Sequence, residues 1–138
     1  MAVPLMLSTV LFVATCDIEP EGERPSLGVD NGTTLAVTIT VNGSKIETVP
    51  PGTQRFISAG ALPGMPWKVQ ALSPTGRLLL ELEVVAGVVW QTTDPDGGTS
   101  MQGAANRVDL SCGRLDIYAG PPLIGPMPGP GTAGDCEP

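Results

Sequence analysis

Glu81 and Glu83 stand two positions apart in a 138-residue chain that contains no histidine. On a strand that spacing places both carboxylates on one face, as a glycosidase needs when one acid protonates and the other attacks or activates water. A charged solvent face is the commoner use of the same spacing. Without histidine the serines have no base to activate them, so a Ser-His-Asp triad is excluded. Lys45 and Lys68 alternate with apolar residues and read as solvated strand positions rather than tuned bases. Asp94 and Asp96 precede Gly97-Gly98, and carboxylates with backbone carbonyls on such a loop suit a hard cation such as calcium. The stretch lacks the terminal bidentate Glu of an EF-hand loop, and an Asp/Gly turn accounts for the same residues. Trp67, Trp90 and Tyr118 could together offer a sugar-stacking platform. Trp67 is expected in the core, which leaves Trp90, followed by polar Gln91, Thr92 and Thr93, as the candidate ligand-binding residue.

Other chemistries drop out by composition. Phosphate-cradling glycine motifs are absent, so no nucleotide cofactor is expected. Seven Lys and Arg against fourteen Asp and Glu leave a net charge of -7, which argues against nucleic acid as a partner. Three separated cysteines without histidine do not supply four zinc ligands, so no cofactor or structural metal is expected.

The charge is unevenly placed. Residues 1–15 carry none, and the apolar run 5–14 is too short to span a bilayer but suits the hydrophobic region of a secretory signal. Beyond Cys16 the chain turns at once polar and acidic. Val13, Ala14, Thr15 and Cys16, so placed, resemble the signal of a bacterial lipoprotein. That resemblance implies cleavage before Cys16, a diacylglyceryl group on its thiol, and a membrane held through the N-terminal lipid. Thr15 stands where that family prefers Gly, Ala or Ser, and secretion after ordinary cleavage is the alternative. With Cys16 acylated, Cys112 and Cys136 remain to pair, in keeping with an oxidising compartment. A loop of that size gains about 3 kcal/mol from closure.

Residues 16–32, with Glu19, Glu21, Glu23, Pro20 and Pro25, have too little apolar surface to fold and read as a tether. A domain is expected over 33–119. Leu35, Val37, Ile39 and Val41 alternate with polar residues ahead of Asn42-Gly43, a strong hairpin signal. A two-residue turn there sets Val41 against Ser44, Thr40 against Lys45 and Ile39 against Ile46. Further strands are expected at 53–57, 67–71, 78–84, 88–93, 107–111 and 115–119, with a Gly-rich loop over 94–106. The fold class is therefore all-β, a small antiparallel sandwich. Residues 120–138 form a Pro/Gly-rich tail, which the Cys112–Cys136 bridge should draw across the end of the sandwich over a sheet edge.

The segments ITVNGSKIETVPPG and PGMPWKVQALSPTGRLLLELEVVAG, within residues 33–87, resemble immunoglobulin-like or PEGA-like extracytoplasmic modules of bacteria. The whole chain resembles small bacterial lipoproteins with a Cys-closed, Pro/Gly-rich C-terminus. Together these imply a non-enzymatic envelope protein with a structural or binding role and an envelope protein or glycan as partner. A carboxylate-dependent extracytoplasmic enzyme or a sugar-binding module is the alternative.

Overall fold

The computed structural model describes residues 25–126 and 129–138. The expected signal over 1–15, Cys16 and the tether as far as residue 24 lie outside them. Ten strands follow in order: β1 (Leu27–Asn31), β2 (Val37–Val41), β3 (Ser44–Val49), β4 (Thr53–Ile57), β5 (Trp67–Leu72), β6 (Leu78–Val84), β7 (Trp90–Thr93), β8 (Thr99–Gln102), β9 (Ala104–Leu110) and β10 (Gly113–Ala119). Two four-stranded antiparallel sheets, β4-β1-β10-β9 and β3-β2-β5-β6, pack as a sandwich, and β7-β8 forms a separate two-stranded ribbon.

The alternating residues of the sequence supply the layer between the sheets. Leu27, Val29, Leu115, Ile117 and Ala119 of the first sheet meet Val37, Ile39, Val41, Val69, Ala71, Leu82 and Val84 of the second. Trp67 closes this layer at 2% exposure, and its indole nitrogen donates to the Pro63 carbonyl at 2.7 Å, so its one polar atom is satisfied.

The tether boundary at residue 32 is corrected by β1. Leu27 and Val29 are fully buried, and β1 pairs with β10 on one side and β4 on the other. Such a strand is stabilised by neighbours distant in the chain, which local composition does not reveal. Asn31, at its end, is 1% exposed and anchors the turn into β2. Its amide donates to the carbonyls of Leu35 at 2.7 Å, Val49 at 3.2 Å and Pro50 at 3.2 Å. Its oxygen accepts from the Thr33 amide at 3.1 Å and hydroxyl at 2.6 Å.

The Asn42-Gly43 turn forms with both residues at positive φ, 52° and 84°. Val41 pairs with Ser44 and Thr40 with Lys45 as expected, but Ile39 then pairs with Glu47. Ile46 is the extra residue of a β-bulge and packs against the core. One consequence is that Glu47 shares the inner face with Ile39, at the sandwich rim. Arg55, opposite Val29 on β4, likewise lies on an inner face, and the two charges meet at 3.4 Å across the seam between edge strands β3 and β4. Inward-pointing charges of this kind discourage edge-to-edge pairing with other chains. On the other side, Asn106 of β9 donates to the Glu81 carbonyl of β6 at 2.8 Å.

The Cys112–Cys136 disulfide is present, with Cα atoms 5.9 Å apart. It is consistent with an extracytoplasmic location. The tail it closes lies over the outer face of the β9–β10 hairpin rather than along a free sheet edge. Arg114 donates to the Pro126 carbonyl at 2.5 Å, and Gly125 sits against the Arg107 guanidinium. The tail end then crosses to the second sheet, where Arg77 donates to the carbonyls of Asp135 and, at 2.9 Å, Glu137. Backbone carbonyls that no strand pairs thus find charged donors.

Candidate functional site

The ribbon β7-β8 stands outside the sandwich core. After β6 the chain turns at Gly87, φ 83°, with the Val88 amide donating to the Val85 carbonyl at 3.2 Å. Trp90 then pairs with Gln102, Gln91 with Met101, Thr92 with Ser100 and Thr93 with Thr99. All eight strand residues are exposed. The Gly-rich loop expected over 94–106 is therefore corrected: it holds β8, the start of β9 and a tight five-residue turn. The Asp94 amide donates to the Gly98 carbonyl at 2.6 Å, and Gly97 returns a bond to Asp94 with φ 86°. Asp96-Gly97 flanked by β-prone threonines is the one signal for this hairpin in the sequence.

Asp94 and Asp96 sit at the ribbon tip, where both carboxylates serve the turn. Asp94 accepts from the Ser100 hydroxyl at 2.9 Å and Asp96 from the Gly98 amide at 3.2 Å. Among the described residues no group of three or more His, Cys, Asp or Glu comes together as a metal site would require.

At the base of the ribbon lies a groove of about 250 Å³, lined by Pro25, Ser26, Val89, Trp90, Gln91, Met101 and Gly120. None of these residues is charged. Trp90 and Met101 remain 45% and 51% exposed, and they border one groove together rather than standing singly on the surface. Gly103, just after β8, passes so close to the Ala119 carbonyl that no side chain would fit, which seats the end of the ribbon against the end of β10. Pro25 and Ser26, which line the groove, lead directly into β1. Of the lining, the sequence singled out Trp90; Met101, between polar Ser100 and Gln102, carries no periodic signal.

The three aromatics do not assemble into a platform. Trp67 is in the core. Tyr118 is 2% exposed on the outer face of the first sheet, where its hydroxyl donates to Asp30 at 3.1 Å and accepts from Gln54 at 3.0 Å. Phe56 packs edge-on at 6.3 Å, and Gly28, lacking a Cβ, leaves room for the ring. Burial pushes the Tyr118 phenol above its ordinary 10.0. Beside it, Arg107 grips Asp116 with two bonds of 2.8 and 3.1 Å, and Arg114 grips Asp109 with bonds of 2.6 and 3.3 Å. The hydrogen bond from Arg114 lowers the Asp109 carboxyl, and that to Asp116 raises the Arg107 guanidinium.

Glu81 and Glu83 share the outer face of the second sheet. Glu81 accepts from the Gln70 amide at 3.0 Å and lies 3.8 Å from the Lys68 ammonium, while Glu83 pairs across the ladder with Lys68. Both lie on the outer side of the sheet, and neither lines the groove at the base of the ribbon. No protein-family model, no curated protein and no solved structure matches this chain.

Proposed function

We propose that this protein is a non-enzymatic extracytoplasmic binding module, held to a membrane by a lipid on Cys16, that recognises its partner at the base of the β7-β8 ribbon. The observation that carries the binding role is the uncharged groove bordered by exposed Trp90 and Met101. Ordered apolar side chains standing clear of the core at such a groove are a feature of interaction sites. The disulfide supports the compartment. The likeness to immunoglobulin-like and PEGA-like modules belongs to the same reading and is supported by the two antiparallel sheets. A glycan partner draws support from Trp90, whose exposed indole offers a face for stacking at the groove. A carboxylate enzyme has less behind it, since Glu81 is engaged by Gln70 and Lys68.

Intact mass of the protein recovered from its own envelope tests the anchor. A mature chain beginning at Cys16 with diacylglyceryl mass is expected, and Cys16→Ala should release it from membranes. An unacylated mature chain refutes the anchor. Binding is read from tryptophan emission, because Trp67 is buried and Trp90 reports alone on the groove. Trp90→Ala, which lacks that reporter and is followed by titration calorimetry instead, should lose binding without changing the unfolding midpoint.

A further inference from the structure

We propose that the β7-β8 ribbon takes an extended, cationic peptide segment as a third strand, with one apolar side chain of that segment seated in the Trp90 groove. The inference rests on the groove being the recognition surface and adds what occupies it. Three observations lead to it. The ribbon has two strands only, so each presents one row of unpaired backbone donors and acceptors, and two-stranded ribbons are marginal until a third strand joins. The groove opens at one end of that ribbon and is apolar enough to accept a side chain, while strand addition provides the main-chain bonds.

Charge selects the partner. Residues 84–106 hold two acids, Asp94 and Asp96, and no Lys or Arg. Four of the domain's cations are paired elsewhere, Arg55 with Glu47, Lys68 with Glu81, Arg107 with Asp116 and Arg114 with Asp109, and Arg77 is bound to the tail carbonyls. Among the described residues no ion pair reaches Asp94 or Asp96, so the ribbon tip keeps its negative charge for a visitor. A second copy of this chain, at net charge -7 with the same acidic tip, is repelled, as is an anionic polymer. From Gln91 to Asp94 is three residues, or about 10 Å at strand rise. The partner segment therefore carries its Lys or Arg three or four positions from the apolar anchor.

The test uses three probes: a blocked peptide of alternating Lys with Val and Leu, its Glu counterpart, and cellohexaose. The Lys peptide should shift Trp90 emission saturably, and it should slow amide exchange along 90–93 and 99–102. Its affinity should fall severalfold between about 50 and about 300 mM salt. Asp94→Asn with Asp96→Asn should weaken it about fivefold, since asparagine keeps the turn-forming acceptor oxygen but not the charge. Equal binding of the Glu peptide, or no loss in the double variant, overturns the proposal. A response to cellohexaose in place of the Lys peptide also ends it but leaves the groove as a binding site. Silence of Trp90 toward all three overturns the groove reading itself.

Discussion

Replacing Asn31 by alanine should be among the most damaging single changes to this domain, although the residue is polar and lies in a turn. Its amide serves three carbonyls, of Leu35, Val49 and Pro50, and its oxygen serves two donors of Thr33. A buried polar group left without a partner costs about 1–3 kcal/mol. The Thr33 hydroxyl, already 3.4 Å from the Leu35 carbonyl, can turn to rescue that acceptor. The Val49 carbonyl and the Thr33 amide have no such substitute in this network. With a small cavity added, the loss comes to about 3 kcal/mol, a large share of the 5–15 kcal/mol typical of a domain. Urea unfolding followed by Trp67 emission measures it, and the melting temperature should fall by about 12–15 °C. Asn31→Asp supplies a sharper control. It keeps the shape but turns an oxygen toward three carbonyls, so it should be at least as destabilised at neutral pH. Burial and those carbonyls raise the new carboxyl above its unfolded value. Stability of the variant should therefore recover as pH falls through the raised value, when the protonated group can donate. An alanine variant within about 1 kcal/mol of the parent, or an aspartate variant insensitive to acid, would refute the reasoning.

Cys112→Ser with Cys136→Ser opens a loop with a sequence separation of 24. It should let protease clip the tail while residues 25–119 stay resistant, and a tail that survives intact would show that Arg77 and Arg114 hold it alone. Gly28→Ala drives a methyl into the Tyr118 ring and should cost about 2 kcal/mol in the urea midpoint. In a Tyr118→Ala background the same change should cost far less. The raised Tyr118 phenol contributes stability that is fully present below pH 10.0 and lost as pH climbs through its folded value. Tyr118→Phe should flatten that alkaline limb in a pH series of unfolding midpoints. Asp109, lowered by Arg114, works at the other end: its contribution holds above 3.8 and disappears as pH falls through its folded value, a limb that Asp109→Asn removes.

What was legible in the sequence depended on whether a strand's reasons were local. β4 and β6 carry turn residues at both ends and alternation between, and the expected bounds 53–57 and 78–84 match them. The Asn42-Gly43 turn is likewise local, and its first two cross-strand pairs follow from it. The bulge at Ile46 does not: Ile39 and Ile46 look like natural partners, yet the structure pairs Ile39 with Glu47, whose carboxylate finds Arg55 across the seam. β1 is the clearest gap. Its five residues include a glycine, an aspartate and an asparagine, which read as loop, but each has a distant partner: Tyr118 beside Gly28, the Tyr118 hydroxyl on Asp30, and the Val49 carbonyl on Asn31. The Cys112–Cys136 pairing was legible from the odd cysteine count together with the expected export signal. Of the groove, Trp90 alone was visible, because its other walls come from Pro25, Met101 and Gly120, far apart along the chain.

The placement of β1 has a mechanical consequence. Residues 1–24 join the domain at the start of a strand that lies inside its sheet, not at an edge. A pull along the strand axis through those residues, resisted by the rest of the domain, loads both ladders of β1 at once, from Leu27 against Ala119 and Ile57 to Asn31 against Leu115 and Thr53. Bonds arranged in that way share the load and yield together, whereas an edge strand drawn sideways would peel one pair at a time. If the domain is held through its N-terminus, as proposed above, tension reaches it at a point where it must shear the fold, and both ladders of β1 resist it together.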